Sequence, residues 1–171
     1  MDDIRCELYQ ARTDISEKVS FLQQVRAIAE KYGTHIILFD ADRMAGEEHV
    51  RSALRHAWRS YSEGTPIANS FEMEALLYAA GTRQCLLAAN YGIRTGENRL
   101  YVGICPPSGG ARDELATVLQ FVDEDWETID PDKAKRLQEI FGITPEELAV
   151  VGRGRIQDLV LERVALLEVY R

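Results

Sequence analysis

The sequence predicts one mixed α/β (α+β) domain, a small β-sheet of three to five strands packed with helices. Three observations predict it. Stretches that alternate with a period of two recur between stretches of period 3.6, so strands and helices must share a core. The 171 residues, 46% of them hydrophobic, are enough for one ordinary core and few for two, which places 1–171 in a single domain. The stretch Pro66 to Ile93, PIANSFEMEALLYAAGTRQCLLAANYGI, reads as two helices with almost no linker, a central helical hairpin.

In chain order, Ile4, Cys6 and Leu8 alternate with Arg5, Glu7 and Tyr9, the pattern of a strand over about 3–11 with one covered face. Ser16 is positioned to cap a helix in which Phe21, Leu22, Val25, Ile28 and Ala29 keep helical spacing until Gly33 stops it. HIILFD, rich in β-formers and ended by Asp40 and Asp42, reads as a strand over 34–40 buried on both faces, the expected centre of the sheet. From Glu47 to Tyr61, Val50, Leu54, Ala57, Trp58 and Tyr61 line one helix face. Arg51, Arg55 and Arg59 line another, either as a solvated stripe or as phosphate contacts.

In the hairpin, Asn69 is a candidate cap with Glu72 reaching back, and Met73, Leu76, Leu77 and Ala80 form one apolar face. Gly81 ends the first helix and Thr82 opens the second. Leu86, Ala89 and Ile93 continue the stripe, and Gly92 is suited to a left-handed exit. Two helix starts with small polar side chains and free N–H groups are expected close together, a setting for an anion. Arg83 and Gln84 fall in the first turn of the second helix, where a cation opposes the helix dipole. The alternative is that Asn69, Ser70 and Thr82 only cap and Arg83 is solvated.

Beyond the hairpin, Leu100, Val102 and Ile104 alternate with Tyr101, Gly103 and Cys105 in a strand over 98–105. The Cys105–Gly110 loop that follows is glycine-rich but matches neither GxxxxGK[ST] nor GxGxxG. A helix over Asp113 to Val122, an edge strand over Trp126 to Ile129, and helices over Lys133–Phe141 and Thr144–Val151 are expected next. Gly152-Arg153-Gly154-Arg155 is a flexible basic joint. In the last helix Ile156, Leu159, Val160, Val164 and Leu167 form one stripe, while Leu161, Ala165, Leu166 and Val169 add apolar surface outside it.

The net charge of −8 excludes a protein that coats nucleic acid through a broad basic surface. Six carboxylates and no base lie between Asp123 and Asp132. No run reaches the roughly 18 apolar residues of a membrane span, and MDDIRCELYQ lacks a signal-peptide core. A soluble cytoplasmic protein is expected. Cys6, Cys85 and Cys105 are widely spaced in apolar contexts and read as buried thiols, not ligands or bridges. Of three histidines, His49 and His56 are seven apart, about 10 Å along a helix, too far to share a metal. Glu72 and Glu74 point apart, so no acid–base pair forms. No catalytic residue, metal or cofactor is assigned.

The runs IANSFEME, LLYAAGTRQ and YGI, with LERVALLEVYR at the carboxyl end, resemble the small subunit of the KEOPS complex that binds the PRPK-type kinase, the TPRKB family. Cys85 departs from the bulky aliphatic residue expected at its position. The resemblance implies a noncatalytic subunit that binds the PRPK-type atypical kinase and helps recruit tRNA by its single-stranded CCA end. The complex then transfers a threonylcarbamoyl group to an adenosine beside the anticodon, with catalysis in another subunit. On this reading Asn69, Ser70, Thr82, Arg83 and Gln84 face RNA, and Arg59 and Arg94 extend the path. Leu161, Ala165, Leu166 and Val169 face the kinase. The competing reading is a small α/β ligand-binding domain or enzyme with a phosphate site at the Cys105–Gly110 loop.

Overall fold

In a computed structural model that describes residues 5–170, four strands form one antiparallel sheet. They are β1 (Glu7–Ile15), β2 (His35–Asp40), β3 (Gly96–Cys105) and β4 (Gln120–Val122), in the order β2-β3-β1-β4. The β1–β3 pair runs from Glu7 opposite Ile104 to Ile15 opposite Gly96. Ile4 of the expected first strand lies outside the described residues. The mixed α+β class is as the periodicity predicts, but HIILFD is an edge strand and not the centre. Burial of both its faces does not require the central place, since helices on the two sides of the sheet cover them whatever its position in the order.

Helices α1 (Lys18–Lys31) and α5 (Gly109–Leu115) cover one face, packing Phe21, Val25, Ile28 and Leu115 on Ile36, Leu38, Leu100, Val102 and Ile104. Helices α2 (Glu47–Ser62), α3 (Phe71–Ala80) and α8 (Ile156–Tyr170) cover the other, with Leu54, Ala57, Phe71, Leu77 and Val164 against Ile37, Phe39 and Tyr101. Period two therefore feeds two cores, odd and even residues of β2 going to opposite sides. A third cluster joins α6 (Pro131–Phe141) and α7 (Pro145–Val151) to α8 through Leu137, Leu148, Ile156, Leu159 and Val160. Gln157 ties α8 to the turn before α2 by donating to the Ala45 carbonyl at 2.7 Å.

Helix α7 starts as expected, Thr144 with Glu147 forming a capping box, while α6 begins at Pro131, two residues before the expected start, because Asp130 caps it there. Others are displaced. Glu17, not Ser16, caps α1, and Leu22 is partly exposed. The helix expected over Asp113–Val122 begins earlier, at Gly109, and stops at Leu115, because Gln120–Val122 pairs with β1 as β4. Residues 126–129 form no strand; Trp126 is buried edge-on against Tyr101. The joint Arg153–Arg155 is a short 3-10 turn.

Cys6 and Cys105 are joined in a disulfide that ties the start of β1 to the end of β3, while Cys85 is exposed, so none of the three is the buried thiol expected. The antiparallel register brings the first two together. Spacing in sequence says nothing of it.

Candidate functional site

The segment leading to α3 is held from inside. Glu74, fully buried, accepts from the Ile67 and Ala68 N–H groups and from the Ser60 hydroxyl at 2.6 Å. Its neighbour Glu72 points elsewhere and accepts from His35 Nδ1 at 2.6 Å. The His35 pKa is raised by this hydrogen bond against the opposing effect of burial. Burial is the largest single influence and works to raise the Glu72 carboxyl, but the His35 hydrogen bond, a main-chain hydrogen bond and the charges of His35 and Arg26 together hold the group low. As expected, the two carboxylates do not act as a pair.

Ser70 is the cap of α3, its hydroxyl accepting from the Met73 N–H, and Asn69 is exposed beside it. The capping role expected of Asn69 and Glu72 thus belongs to Ser70 alone. Gly81 closes α3 with φ of 66°, and a side chain there would begin 3.3 Å from the Arg163 carbonyl. Only glycine serves both the left-handed turn and the close approach to α8. Thr82 accepts from the Gln84 N–H in a local turn and does not cap a helix. Helix α4 (Cys85–Ala88) has one turn and continues as a 3-10 turn over Ala89–Tyr91. The second arm of the hairpin is therefore much shorter than predicted. Its buried residue is Ala88, not Leu86 or Ala89; Leu86 is 89% exposed. Gly92 has φ of −96° and is not left-handed.

Ten residues of α3, about 15 Å at helical rise, separate Ser70 from Thr82. The two helix starts are accordingly not close. Arg83 precedes the Gln84 cap of the four-residue α4 and does not lie in its first turn; its guanidinium donates to the Tyr170 carbonyl at 3.3 Å, at the C-terminal end of α8. That is the favourable end for a cation. Arg59 reaches the same turn, 3.2 Å from Glu168, which also accepts from His56 at 2.7 Å. Arg59 and Arg83, with Thr82 and Gln84, are brought to one corner.

Arg94 stands apart. It pairs with Asp42 at 3.0 Å beyond the end of β2, and Arg99 shares that carboxylate. Burial would raise the Asp42 pKa, but the Arg99 and then the Arg94 contacts hold it down. Arg51 and Arg55 are paired on their own helix with Glu47 and Glu48. The acidic stretch is structural in part: Glu124 pairs with Arg12, and Glu127 accepts from the Glu47 N–H.

On α8 the stripe Ile156, Leu159, Val160, Val164 and Leu167 is buried, as predicted. Ala165, Leu166 and Val169 are exposed, Val169 by 71%, and Leu161 is half-buried. The exposed apolar residues lie on the terminal turns that Arg59 and Arg83 touch. At the Cys105–Gly110 loop the Ser108 hydroxyl takes the Ala111 N–H, Thr34 donates to the Pro106 carbonyl, and Gly110 lies against the Tyr32 ring. Sequence reasoning missed Glu74 as the organiser of 60–68. An acid among apolar residues at a helix start was the available signal.

The structure is an α+β scaffold whose terminal helix displays an apolar strip beside the guanidinium groups of Arg59 and Arg83. No family model matches the chain. It is 31% identical over 137 residues, 80% of this chain and 85% of the other, to the regulatory protein Cgi121 of Methanocaldococcus jannaschii. The chain belongs to the Cgi121 family, that of the KEOPS small subunit which the hairpin and terminal runs resemble. Among the described residues, no helix is long and apolar enough to cross a membrane.

Proposed function

We propose that this protein is a noncatalytic KEOPS subunit that binds a PRPK-type atypical kinase through α8 and helps recruit tRNA by its CCA end. The observation that carries the kinase half is the exposed strip Ala165, Leu166 and Val169 on a helix whose opposite stripe is already buried in its own fold. A helix apolar beyond its core stripe has a second surface to cover. Membership of the Cgi121 family supports the same reading.

For RNA, the corner of Arg59, Thr82, Arg83 and Gln84 offers guanidinium groups and neutral donors, with Leu86 exposed nearby in sequence. A short single strand is held by such a compact set, not by a basic sheath, which suits a chain of net charge −8. Asn69, Ser70 and Arg94 lie at a distance from that corner and would contact more of the acceptor arm. The test is co-purification with a PRPK-type kinase, followed by tRNA binding with and without the CCA tail. A stable heterodimer and CCA-dependent retention are expected. A protein that binds neither overturns the proposal.

A further inference from the structure

The 3-10 turn Ala41–Arg43, which follows β2, gathers four guanidinium groups. Arg94 and Arg99 share the Asp42 carboxylate, and Arg94 also lies 4.0 Å from Asp40. Arg136 of α6 reaches the same turn and donates from Nε to the Asp42 main-chain carbonyl at 2.8 Å. Arg43 lies over the Tyr91 ring, 5.3 Å from its centroid, and acts on Asp40 from beyond ion-pair distance. Four cations therefore face two carboxylates, and Arg43 and Arg136, which no carboxylate grips, are half-buried. Buried Lys133 senses the same field: burial lowers its pKa most, Glu127 opposes that, and the charges of Arg136 and Arg99 add to the lowering. On a chain of net charge −8 this surplus at one turn is an exception.

A short exposed path joins the turn to the α8 corner. Residues 83–87, Ala89 and Asn90 are all exposed. Helix α4 and the 3-10 turn Ala89–Tyr91 together cover about 12 Å at their helical rises, and Tyr91 at the far end carries the Arg43 guanidinium. Between the two cationic groups Leu86, 89% exposed, and Leu87, 50% exposed, offer apolar surface.

Guanidinium groups at both ends of an apolar path suit a nucleic-acid strand, whose phosphates recur along it and whose bases pack on apolar groups. Taking the α8 corner as the CCA site, on which this step rests, we infer that the turn Ala41–Arg43 is a second phosphate site: Arg43 and Arg136 hold the tRNA backbone upstream of the CCA tail, and Leu86 and Leu87 lie under the bases between. Arg94 and Arg99 keep Asp42 from repelling that backbone. An acidic protein segment would use the charges but not the path that leads from the CCA corner.

The probes are the RNA trinucleotide CCA and an acceptor-arm minihelix ending in CCA, each followed by fluorescence anisotropy with the full chain. The minihelix should bind the parent about tenfold more tightly than the trinucleotide. Arg43→Gln with Arg136→Gln removes both charges and leaves a donor for the Asp42 carbonyl. This pair should lose that tenfold on the minihelix, leave the trinucleotide unchanged, and reduce the salt slope of minihelix binding by about 1–2. Arg43→Lys with Arg136→Lys should recover the slope, since the charge returns. Should the glutamine pair unfold, Arg43→Gln alone, which spares the carbonyl contact, decides by the same comparison. Equal minihelix affinity in parent and variant overturns the inference, as does an equal loss on the trinucleotide. Loss of kinase co-purification with RNA binding intact overturns it too, by assigning the turn to a protein partner. A parent that does not bind the trinucleotide refutes the CCA corner instead, and the turn is then judged on the minihelix alone.

Discussion

Arg83 donates to the main-chain carbonyl of Tyr170, joining the link between α3 and α4 to the last turn of α8. Arg59 reaches the same turn through Glu168. The proposed RNA corner and the proposed kinase strip are therefore neighbours, and their separation by mutation is a direct test of the functional reading.

Arg83→Glu places an anion beside the α8 carbonyls and removes the proposed phosphate contact. Affinity for tRNA carrying its CCA tail should fall about tenfold or more, with a much smaller change for tRNA lacking it. Equal losses on both RNAs would indicate general electrostatics. Kinase binding, measured by co-purification, should persist.

Leu166→Asp should weaken the heterodimer about tenfold or more while the free protein stays folded, because Leu166 is already 37% exposed. Leu167, 5% exposed one position on, is the control. Aspartate there buries an unpaired charge and should unfold the domain. If Leu166→Asp also unfolds it, that residue is core and the strip is not an interface.

Glu74→Ala removes the acceptor for two main-chain N–H groups and the Ser60 hydroxyl in a buried site. A loss of about 3 kcal/mol in urea unfolding is expected, with faster proteolysis at 63–68. Glutamine keeps one acceptor oxygen and should lose less. A variant as stable as the parent would show that the α2–α3 connection is held elsewhere.

Two histidines bend the pH profile in opposite senses. His49 is buried, with Nδ1 accepting from the Ala45 N–H and Nε2 donating to the Ala79 carbonyl, and burial pushes its pKa down to about 4. Its contribution is complete above the unfolded value near 6.5 and is lost as pH falls, about 3 kcal/mol by pH 4. His35, raised by Glu72, contributes fully below about 6.5 and loses that contribution as pH rises through its folded value. Glu72, held low, contributes above about 4.5 and loses it as pH falls through its own folded value. The His35–Glu72 pair is thus strongest between about pH 4.5 and 6.5. Melting temperature should fall from pH 7 to 4, and more steeply between 7 and 5 in His35→Asn. A His35→Asn profile parallel to the parent's would remove the pair from the account.

Reduction of the Cys6–Cys105 bridge reopens a loop of 99 residues in sequence separation. The chain-entropy estimate gives up to about 4.7 kcal/mol, so reductant should lower the urea midpoint clearly. Cys6→Ser should be as unstable without reductant as the parent with it.

What the sequence determined by itself is local in origin. The start of α7 at Thr144, the buried stripe of α8, the existence of β1, β2 and β3, and the divergence of Glu72 from Glu74 follow from side-chain direction over a few residues. The motif runs carried the family. Tertiary structure decided the rest. Burial on both faces does not say whether a strand is central, since helices cover either place, and so β2 proved to be an edge. The joining of Cys6 to Cys105 depends on the β1–β3 register. Pairing with β1 turned Gln120–Val122 from helix to strand, because a ladder made across more than 100 residues outweighs local periodicity. Sequence places Arg83 next to the helix that follows it, but the helix end that its guanidinium meets is that of α8, 87 residues away and adjacent only once the chain is folded.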